Sequence, residues 1–246
     1  MQYTTVLLLA LGLAGAGAVK WSVTEPGEGG KTCLIFSAEN IAAKLNILTA
    51  ENVTETISFN INATQKDVSG NCNGKFGETP ANELVVSFFP NGEIPKAATD
   101  AQPWRLMLWF VAAADTNIAF KLADYRLETA PSGAFNSTTQ NFTKSASADL
   151  DVHASGTNGF KCSTSGLALS DESTIDLKDT KVIAMARLDT PDFPAEQTFE
   201  QCLLDSRTSD IVPIVVGACL AGLVAVVLVA YLVGRARAKR QGYASV

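Results

Sequence analysis

The stretch IVPIVVGACLAGLVAVVLVAYLV, residues 211–233, decides how the rest of the chain is arranged. It holds 23 residues and no charged side chain. A helix of this length rises roughly 35 Å, enough to cross a hydrocarbon layer of about 30 Å while pairing its own backbone groups. Pro213 falls in the first turn, where the backbone N–H has no helical partner in any case. The run therefore predicts one transmembrane helix over residues 211–233.

A basic cluster directly after the apolar run sets the orientation. Positive side chains beside a membrane span stay on the cytoplasmic side. We therefore predict a cytoplasmic tail over residues 234–246 and an extracellular or luminal location for everything before residue 211. Because a glycolipid-anchor signal ends in its hydrophobic tail, these charges argue against one. The cluster consists of Arg235, Arg237, Lys239 and Arg240.

Small residues recur at four-residue spacing inside the predicted span, at Gly217, Ala221 and Ala225 and again at Ala218 and Gly222. Such spacing permits close helix–helix approach, so the span allows a homo-oligomer.

The front of the chain has the pattern of a cleaved signal. An apolar core over residues 6–13 is followed by Ala16-Gly17-Ala18, which predicts a signal peptide over residues 1–18. The remaining ectodomain, residues 19–210, has the length of one domain. It carries 15 of the 19 Lys and Arg residues and all 25 Asp and Glu, a formal charge of 15 − 25 = −10. This charge argues against nucleic acid as a ligand.

Four of the five cysteines lie in the ectodomain, at Cys33, Cys72, Cys162 and Cys202. An even count in a secreted region indicates disulfides, and four cysteines allow three pairings. The spacings of 39 and 40 residues favour Cys33 with Cys72 and Cys162 with Cys202. A zinc site is disfavoured, because the sequence has no CxxC pair and a single histidine. We expect no metal and no cofactor.

Four Asn-x-Thr sequons predict N-glycan acceptors on exposed backbone. Two of them fall in the Ser/Thr-rich residues 130–147, which we interpret as a surface loop between two halves of the domain. The acceptors are Asn52, Asn62, Asn136 and Asn141.

The ectodomain pattern is mostly β. Short apolar or alternating segments over residues 53–61, 84–89, 106–111, 117–127 and 182–186 are bounded by Pro, Gly, Asn and Asp, which favours an antiparallel two-sheet form. One segment reads differently: Ile41, Leu45 and Leu48 keep helical spacing and predict a helix over residues 38–48.

No motif in the chain indicates an enzyme. The only histidine, His153, lies in a strand-like segment without a nucleophile motif nearby, and a structural role is the commoner use of such a residue. A pair of carboxylates acting as a glycosidase stays open. Trp21, Trp104 and Trp109 could line a ligand groove, although core packing is the favoured interpretation.

The tail ends in Gly242-Tyr243-Ala244-Ser245-Val246, a tyrosine followed at the third position by an apolar residue. An extended peptide of this kind projects both side chains toward two pockets of a receptor. The pattern alone is weak, since Tyr3-Thr4-Thr5-Val6 also matches it. Its position after a membrane span makes the terminal copy informative, with Gly242, Tyr243 and Val246 as the signal.

These residues resemble the lysosome-associated membrane glycoproteins, the LAMP/CD68 family. The similarity lies in residues 213–217, 220–224 and 230–235, in the terminal Gly-Tyr-x-x-Φ, and more loosely in Phe199-Glu200-Gln201-Cys202 and the cysteine spacing. It implies a single luminal LAMP-type β-prism of two sheets with disulfides in the order favoured above. With one domain, no long proline-rich hinge and four sequons, the chain is similar to a compact, invertebrate member.

The resemblance also implies a function. The tail would bind the medium subunit of clathrin adaptors, which routes the protein to late endosomes and lysosomes with transient passage through the plasma membrane. We therefore expect a type I lysosomal membrane glycoprotein, structural and protective, with a part in lysosome biogenesis, autophagy or fusion, and not an enzyme. The alternatives are a sorting or cargo receptor that binds a luminal partner and a membrane-anchored hydrolase.

Overall fold

The computed structural model describes residues 18–49, 53–93, 102–112, 118–131, 139–148, 152–207 and 211–242. The chain divides into two compact units, one ending at Cys202 and the other starting at Leu203. The first unit holds thirteen described strands and the second holds two helices. The strands are β1 Val19–Thr24, β2 Thr32–Ala38, β3 Asn40–Leu48, β4 Thr54–Asn60, β5 Val68–Phe76, β6 Thr79–Phe88, β7 Trp104–Val111, β8 Ile118–Glu128, β9 Asn141–Thr143, β10 His153–Ser155, β11 Gly159–Ala168, β12 Thr174–Ile183 and β13 Phe199–Gln201. The helices are α1 Leu203–Arg207 and α2 Ile211–Gly242.

The strands form two sheets, as the alternating pattern predicts. Sheet A has the order β1-β2-β12-β11-β13, with β3 beside β12 and β4 beside β3. Sheet B has the order β10-β8-β7-β6-β5, with β9 beside β8. All described pairs are antiparallel except β11 with β13. The mostly β, two-sheet prediction is confirmed.

The long strand β12 serves two partners in succession. Its end at Lys181–Ile183 pairs with β2, and its start at Thr174–Lys178 pairs with β3. Between them lies Asp179, a non-glycine residue at φ 47°. The buried positions shift there from alternation to Leu177 and Thr180, three residues apart. This irregularity lets one strand align two different neighbours.

The predicted helix over residues 38–48 is wrong: Asn40–Leu48 is strand β3. Its buried residues are Ile41, Ala43, Leu45 and Ile47, which alternate with period two, whereas Leu48 is 46% exposed. The helical spacing of three leucine and isoleucine residues is coincidental, because pairing with β4 and β12 on both sides decides the conformation.

The predicted surface loop over residues 130–147 is also wrong in part. Asn141–Thr143 forms strand β9 against β8, and Phe142 is buried in the core. Its acceptor Asn141 nevertheless stays exposed, because a strand sends successive side chains to opposite faces.

One hydrophobic core lies between the two sheets. Trp21 of sheet A stacks on Phe36 at a ring-centroid distance of 5.3 Å, and its indole N–H donates to the Ala63 carbonyl at 3.0 Å. From sheet B, the buried Tyr125 hydroxyl donates to the Ala168 carbonyl of β11 at 2.8 Å. Each polar tip thus finds an acceptor, and full burial of these large rings stabilises the contact between the sheets.

Two glutamine side chains pair with exposed strand backbone. The Gln65 amide accepts from the Ser22 N–H and donates to the Ser22 carbonyl, both at 2.8 Å. The Gln140 amide does the same to Leu48, at 3.3 and 3.0 Å. A side-chain amide that fills both backbone groups of one residue blocks further pairing there, which protects a sheet edge from aggregation.

Candidate functional site

Helix α2 contains the segment that can cross a membrane. Its stretch Val215–Arg235 is 21 residues long, and an 18-residue window within it has a mean hydropathy of 2.7. The large apolar side chains in this stretch are 47–66% exposed, including Leu220, Leu223 and Val233. Such a helix is apolar all round, and lipid is the environment that covers it favourably.

The helix extends beyond the predicted span, to Gly242. At 1.5 Å per residue its 32 residues measure roughly 48 Å, longer than a hydrocarbon layer of about 30 Å. The residues from Arg235 onward therefore belong to a helical segment that continues past the apolar stretch. Positive charge at a helix C-terminus also interacts favourably with the backbone dipole.

The remaining predicted features of this unit stay predictions. Gly242 is the last residue of α2, whereas Tyr243 and Val246 of the sorting signal lie outside the described residues. The homo-oligomer that the spacing of Gly217 and Gly222 allows is also a prediction. Cys219 is free and exposed.

The two disulfides join the cysteines in the order that the resemblance implies. Cys33 on β2 is bonded to Cys72 on β5, which links sheet A to sheet B across a Cα–Cα distance of 5.6 Å. Cys162 on β11 is bonded to Cys202, directly after β13, across 5.2 Å. Because Cys202 is the last residue of the first unit, this second bond holds the end of the β domain to β11, which is paired on both sides in sheet A.

Two of the predicted glycan acceptors can be placed. Asn62 lies after β4 and Asn141 lies in β9, and both are exposed. Asn52 and Asn136 lie outside the described residues. Exposure is what a glycan acceptor requires in the folded protein, so both placements suit the prediction without testing it.

The three tryptophans have two kinds of environment. Trp21 and Trp104 are buried, at 0% and 4% exposure, and belong to the core. Trp109 is half-buried on the outer face of sheet B. Its outward position was hidden in the sequence, because residues 106–111 are continuously apolar and do not reveal which of them face out.

The carboxyl groups with a clear shift all have a lowered pKa. A hydrogen bond from Asn158 lowers the pKa of Glu200, assisted by the Ser155 backbone N–H. Hydrogen bonds from Thr64 lower the pKa of Asp67, and the ammonium of Lys31 lowers that of Asp189. A catalytic acid needs a raised pKa instead. These carboxylates stabilise turns and ion pairs.

The only histidine of the sequence, His153, lies at the start of β10, opposite Lys121 of β8. Tyr125 lies on β8 itself, and burial raises the pKa of its phenol to about 12. The phenol is therefore a hydrogen-bond donor at physiological pH. Both residues thus belong to the framework of sheet B.

The fold and the helix together define a class: a single-pass membrane protein with an oxidised, two-sheet β domain outside the cytosol. The family model described as "Lysosome-associated membrane glycoprotein 2, transmembrane segment" matches residues 212–244. Lysosome-associated membrane glycoprotein 1 of Rattus norvegicus is 31% identical over 232 residues, which cover 92% of this chain and 48% of that protein. The Homo sapiens protein of the same name is 55% identical over 47 residues, 19% of this chain and 11% of that protein.

A solved structure shows the same fold. The membrane-proximal domain of mouse lysosome-associated membrane protein 1 superposes with a TM-score of 0.53 at 21% identity, over 76% of this chain and 98% of that one. The chain belongs to the family of lysosome-associated membrane glycoproteins. It spans about half the length of the rat relative. Its relatives are membrane glycoproteins by name, and α2 is the one helix among the described residues that is long and apolar enough to cross a membrane.

Proposed function

We propose that this protein is a structural and protective component of the lysosomal membrane, delivered there by its cytoplasmic tail. The observation that carries the proposal is the order of features along one segment: an apolar helix, a basic C-terminal part, and then Tyr243-Ala244-Ser245-Val246. This order favours a tyrosine-based peptide on the cytoplasmic side, with Tyr243 about ten residues after the end of the apolar run at Val233.

The partner of the tail would be the medium subunit of a clathrin adaptor. An extended peptide pairs its backbone with a strand of the receptor, while Tyr243 and Val246 fill two pockets on the same side. The positions between them, Ala244 and Ser245, contribute little to such binding. Truncating the tyrosine ring removes an aromatic anchor, which is the residue type that dominates recognition energies.

Binding of the tail can be measured with the purified full-length chain in detergent and the isolated adaptor subunit. We expect Tyr243→Ala to weaken binding at least about 30-fold, since loss of such an anchor costs 2 kcal/mol or more. Ser245→Ala is the matched control and should bind as the wild type does. Equal binding of wild type and Tyr243→Ala would contradict the proposed partner.

The β domain would supply the protective part of the function. Its two disulfides close loops of 39 and 40 residues, and its glycan acceptors Asn62 and Asn141 are exposed. Glu200 and Asp67 have a lowered pKa, so the stability that each carboxylate contributes is fully present above the ordinary carboxyl pKa of about 4 and is lost only as the pH falls through the lowered value. A domain built in this way resists unfolding and cleavage in an acidic, protease-rich lumen.

Resistance to cleavage can be tested by exposing intact, glycosylated protein to an acid protease and following the full-length band. We expect the wild type to survive longest and the Asn62→Gln/Asn141→Gln double variant to be cleaved faster, because exposed backbone loses its cover. Asn73→Gln, a substitution at an exposed asparagine outside any sequon, is the control. Equal rates for all three proteins would contradict a protective glycan coat.

A further inference from the structure

An aromatic surface lies on the outer face of sheet B. The rings of Phe76 and Trp109 are 6.2 Å apart with an interplanar angle of 37°. The guanidinium of Arg126 lies 6.0 Å from the centre of the Trp109 ring. Phe76 is 39% exposed and Trp109 is half-buried. We call these three residues the outer platform.

Met107 lies beside the outer platform on the same face of sheet B. Met107 faces outward between Val85 and Arg126, its cross-strand neighbours, yet is only 8% exposed. The surrounding side chains therefore shield Met107 from solvent. Large side chains ordered in this way lose little conformational freedom when a ligand binds, which favours a docking surface.

Hydrogen-bonding groups flank the platform on both sides. Glu83 on β6 and Asp124 on β8 are the cross-strand neighbours of Trp109, and both are partly exposed. Directly opposite residues share one face of a sheet, so one carboxylate lies on each side of the indole. An aromatic ring between acceptors suits a sugar ring, whose C–H face packs on the indole while its hydroxyls donate to carboxylates.

A predicted glycan acceptor lies on the same face. Asn141 on β9 is opposite Glu128 on β8, which in turn is opposite Arg105 on β7. Trp109 follows Arg105 by four residues on that strand. Two strand spacings and four residue rises place Asn141 roughly 16 Å from Trp109, a span that the branched core of an N-linked oligosaccharide covers.

We propose that the oligosaccharide attached to Asn141 folds back across sheet B and packs against the outer platform. A pyranose ring of this glycan lies on Trp109 and Phe76, with its hydroxyls bonded to Glu83, Asp124 or the Arg126 guanidinium. The glycan would thereby cover an apolar surface of its own domain and give up part of its own mobility. This inference rests on the proposed function only in requiring that Asn141 be glycosylated.

The test is the rate at which peptide-N-glycosidase F releases each glycan from the native, full-length glycoprotein. Mass spectrometry of peptides gives occupancy and release at Asn141 and Asn62 separately. We expect release at Asn141 to be about threefold to tenfold slower than at Asn62, the effect of one aromatic stacking contact. Trp109→Ala should bring the Asn141 rate up to that of Asn62 and leave the Asn62 rate unchanged.

Matched variants keep the result interpretable. Phe193→Ala removes a partly exposed ring that contacts Phe199 elsewhere in the domain, so it should not alter release at Asn141. Phe76→Ala trims the exposed part of the platform and should give an intermediate rate even if Trp109→Ala fails to fold. Thermal unfolding identifies any variant that is not folded.

Several outcomes would overturn the inference. Equal release at both sites in the wild type would mean that the Asn141 glycan projects freely, and the protective function would survive. An unoccupied Asn141 would remove both this inference and that site's part in the coat. If Trp109→Ala speeds release and also converts a dimer to a monomer in sedimentation, a second copy of the chain covers the platform instead.

Discussion

The membrane segment and the β domain of this protein are specified in opposite ways. In helix α2 the information is local: the residues from Val215 to Val233 are apolar without a single charge, and that composition alone suits the segment to lipid. In the β domain it is non-local: Trp21 is fixed by Phe36 on the neighbouring strand and by Ala63, 42 residues away. We therefore expect helix α2 to tolerate apolar substitutions that the core of the β domain does not tolerate.

The difference follows from the surroundings of each region. Lipid is as apolar as leucine, so a span gains its stability from transfer into the membrane and not from a fitted neighbour. The β domain must fill its interior at the density of a crystal, and each deleted group leaves a cavity. Substitutions that act differently on the two regions therefore test the contrast.

The largest effect is expected for Trp21→Ala. Loss of a buried indole costs about 4–5 kcal/mol in free energy of unfolding and also leaves the Ala63 carbonyl without its donor. The matched change in the membrane segment, Leu223→Ala, should leave the unfolding of the β domain unchanged. Thermal unfolding of the purified full chain in detergent compares them, and similar losses for the two variants would refute the contrast.

Removing a disulfide comes next. Each loop of 39 or 40 residues contributes about 4 kcal/mol in the chain-entropy model, so Cys162→Ser/Cys202→Ser should destabilise the domain by that order. Cys33→Ser/Cys72→Ser should cost a similar amount. Cys219→Ser in the span, where the thiol is free, is the control and should have no effect on unfolding. If Cys219→Ser lowered the free energy of unfolding as much as either double variant, this prediction would be wrong.

Removal of the buried amide of Asn82 should lower the free energy of unfolding by a smaller amount. Asn82 is 2% exposed, donates to the Cys72 carbonyl at 2.7 Å and accepts from the Met185 N–H at 2.6 Å. Asn82→Ala leaves both backbone groups without this partner and should cost about 2 kcal/mol. Asn73→Ala, at an exposed position, should change the free energy of unfolding by no more than about 0.5 kcal/mol. An equal loss for both variants would show that the two hydrogen bonds of Asn82 contribute nothing to stability.

The smallest effect concerns pH. The pKa of Glu200 is lowered, so its contribution is fully present above the ordinary glutamate pKa of about 4.3 and is lost as the pH falls through the lowered value. Glu200→Gln should lower the free energy of unfolding by about 1 kcal/mol at neutral pH. As the pH falls, the free energy of unfolding of this variant should decrease less than that of the wild type. Unfolding curves at several pH values measure this. Parallel losses in both proteins would contradict the role of this carboxylate.

Sequence analysis succeeded where the information is local. The span, the cysteine spacing and the positions of β4, β6, β7, β8 and the end of β12 follow from runs of residues that decide their own environment. It failed at residues 38–48, because Ile41 and Leu45 fit a helical and a strand pattern equally, and only β4 and β12 select the strand. It also predicted no strand at β1, β2, β5, β9, β11 or β13. The three residues of β9, for example, form a strand only because β8 lies beside them.

The candidate site shows the same division. The acceptors and the tail peptide are short motifs that a sequence displays directly. The outer platform could not be predicted, because Phe76, Trp109 and Arg126 come from three strands whose register places them together. No local pattern distinguishes an outward Trp109 from the buried Trp104 five residues earlier.

The central claim is that the luminal β domain is carried to lysosomes by the residues that follow α2. The most direct measurement is the steady-state fraction of full-length protein in lysosomes and at the cell surface, compared with a chain that stops at Gln241. We predict that the shortened chain moves from lysosomes to the cell surface while its β domain remains folded and glycosylated. If the shortened chain still accumulates in lysosomes, with no gain at the surface, the tail does not direct the protein and the account is wrong.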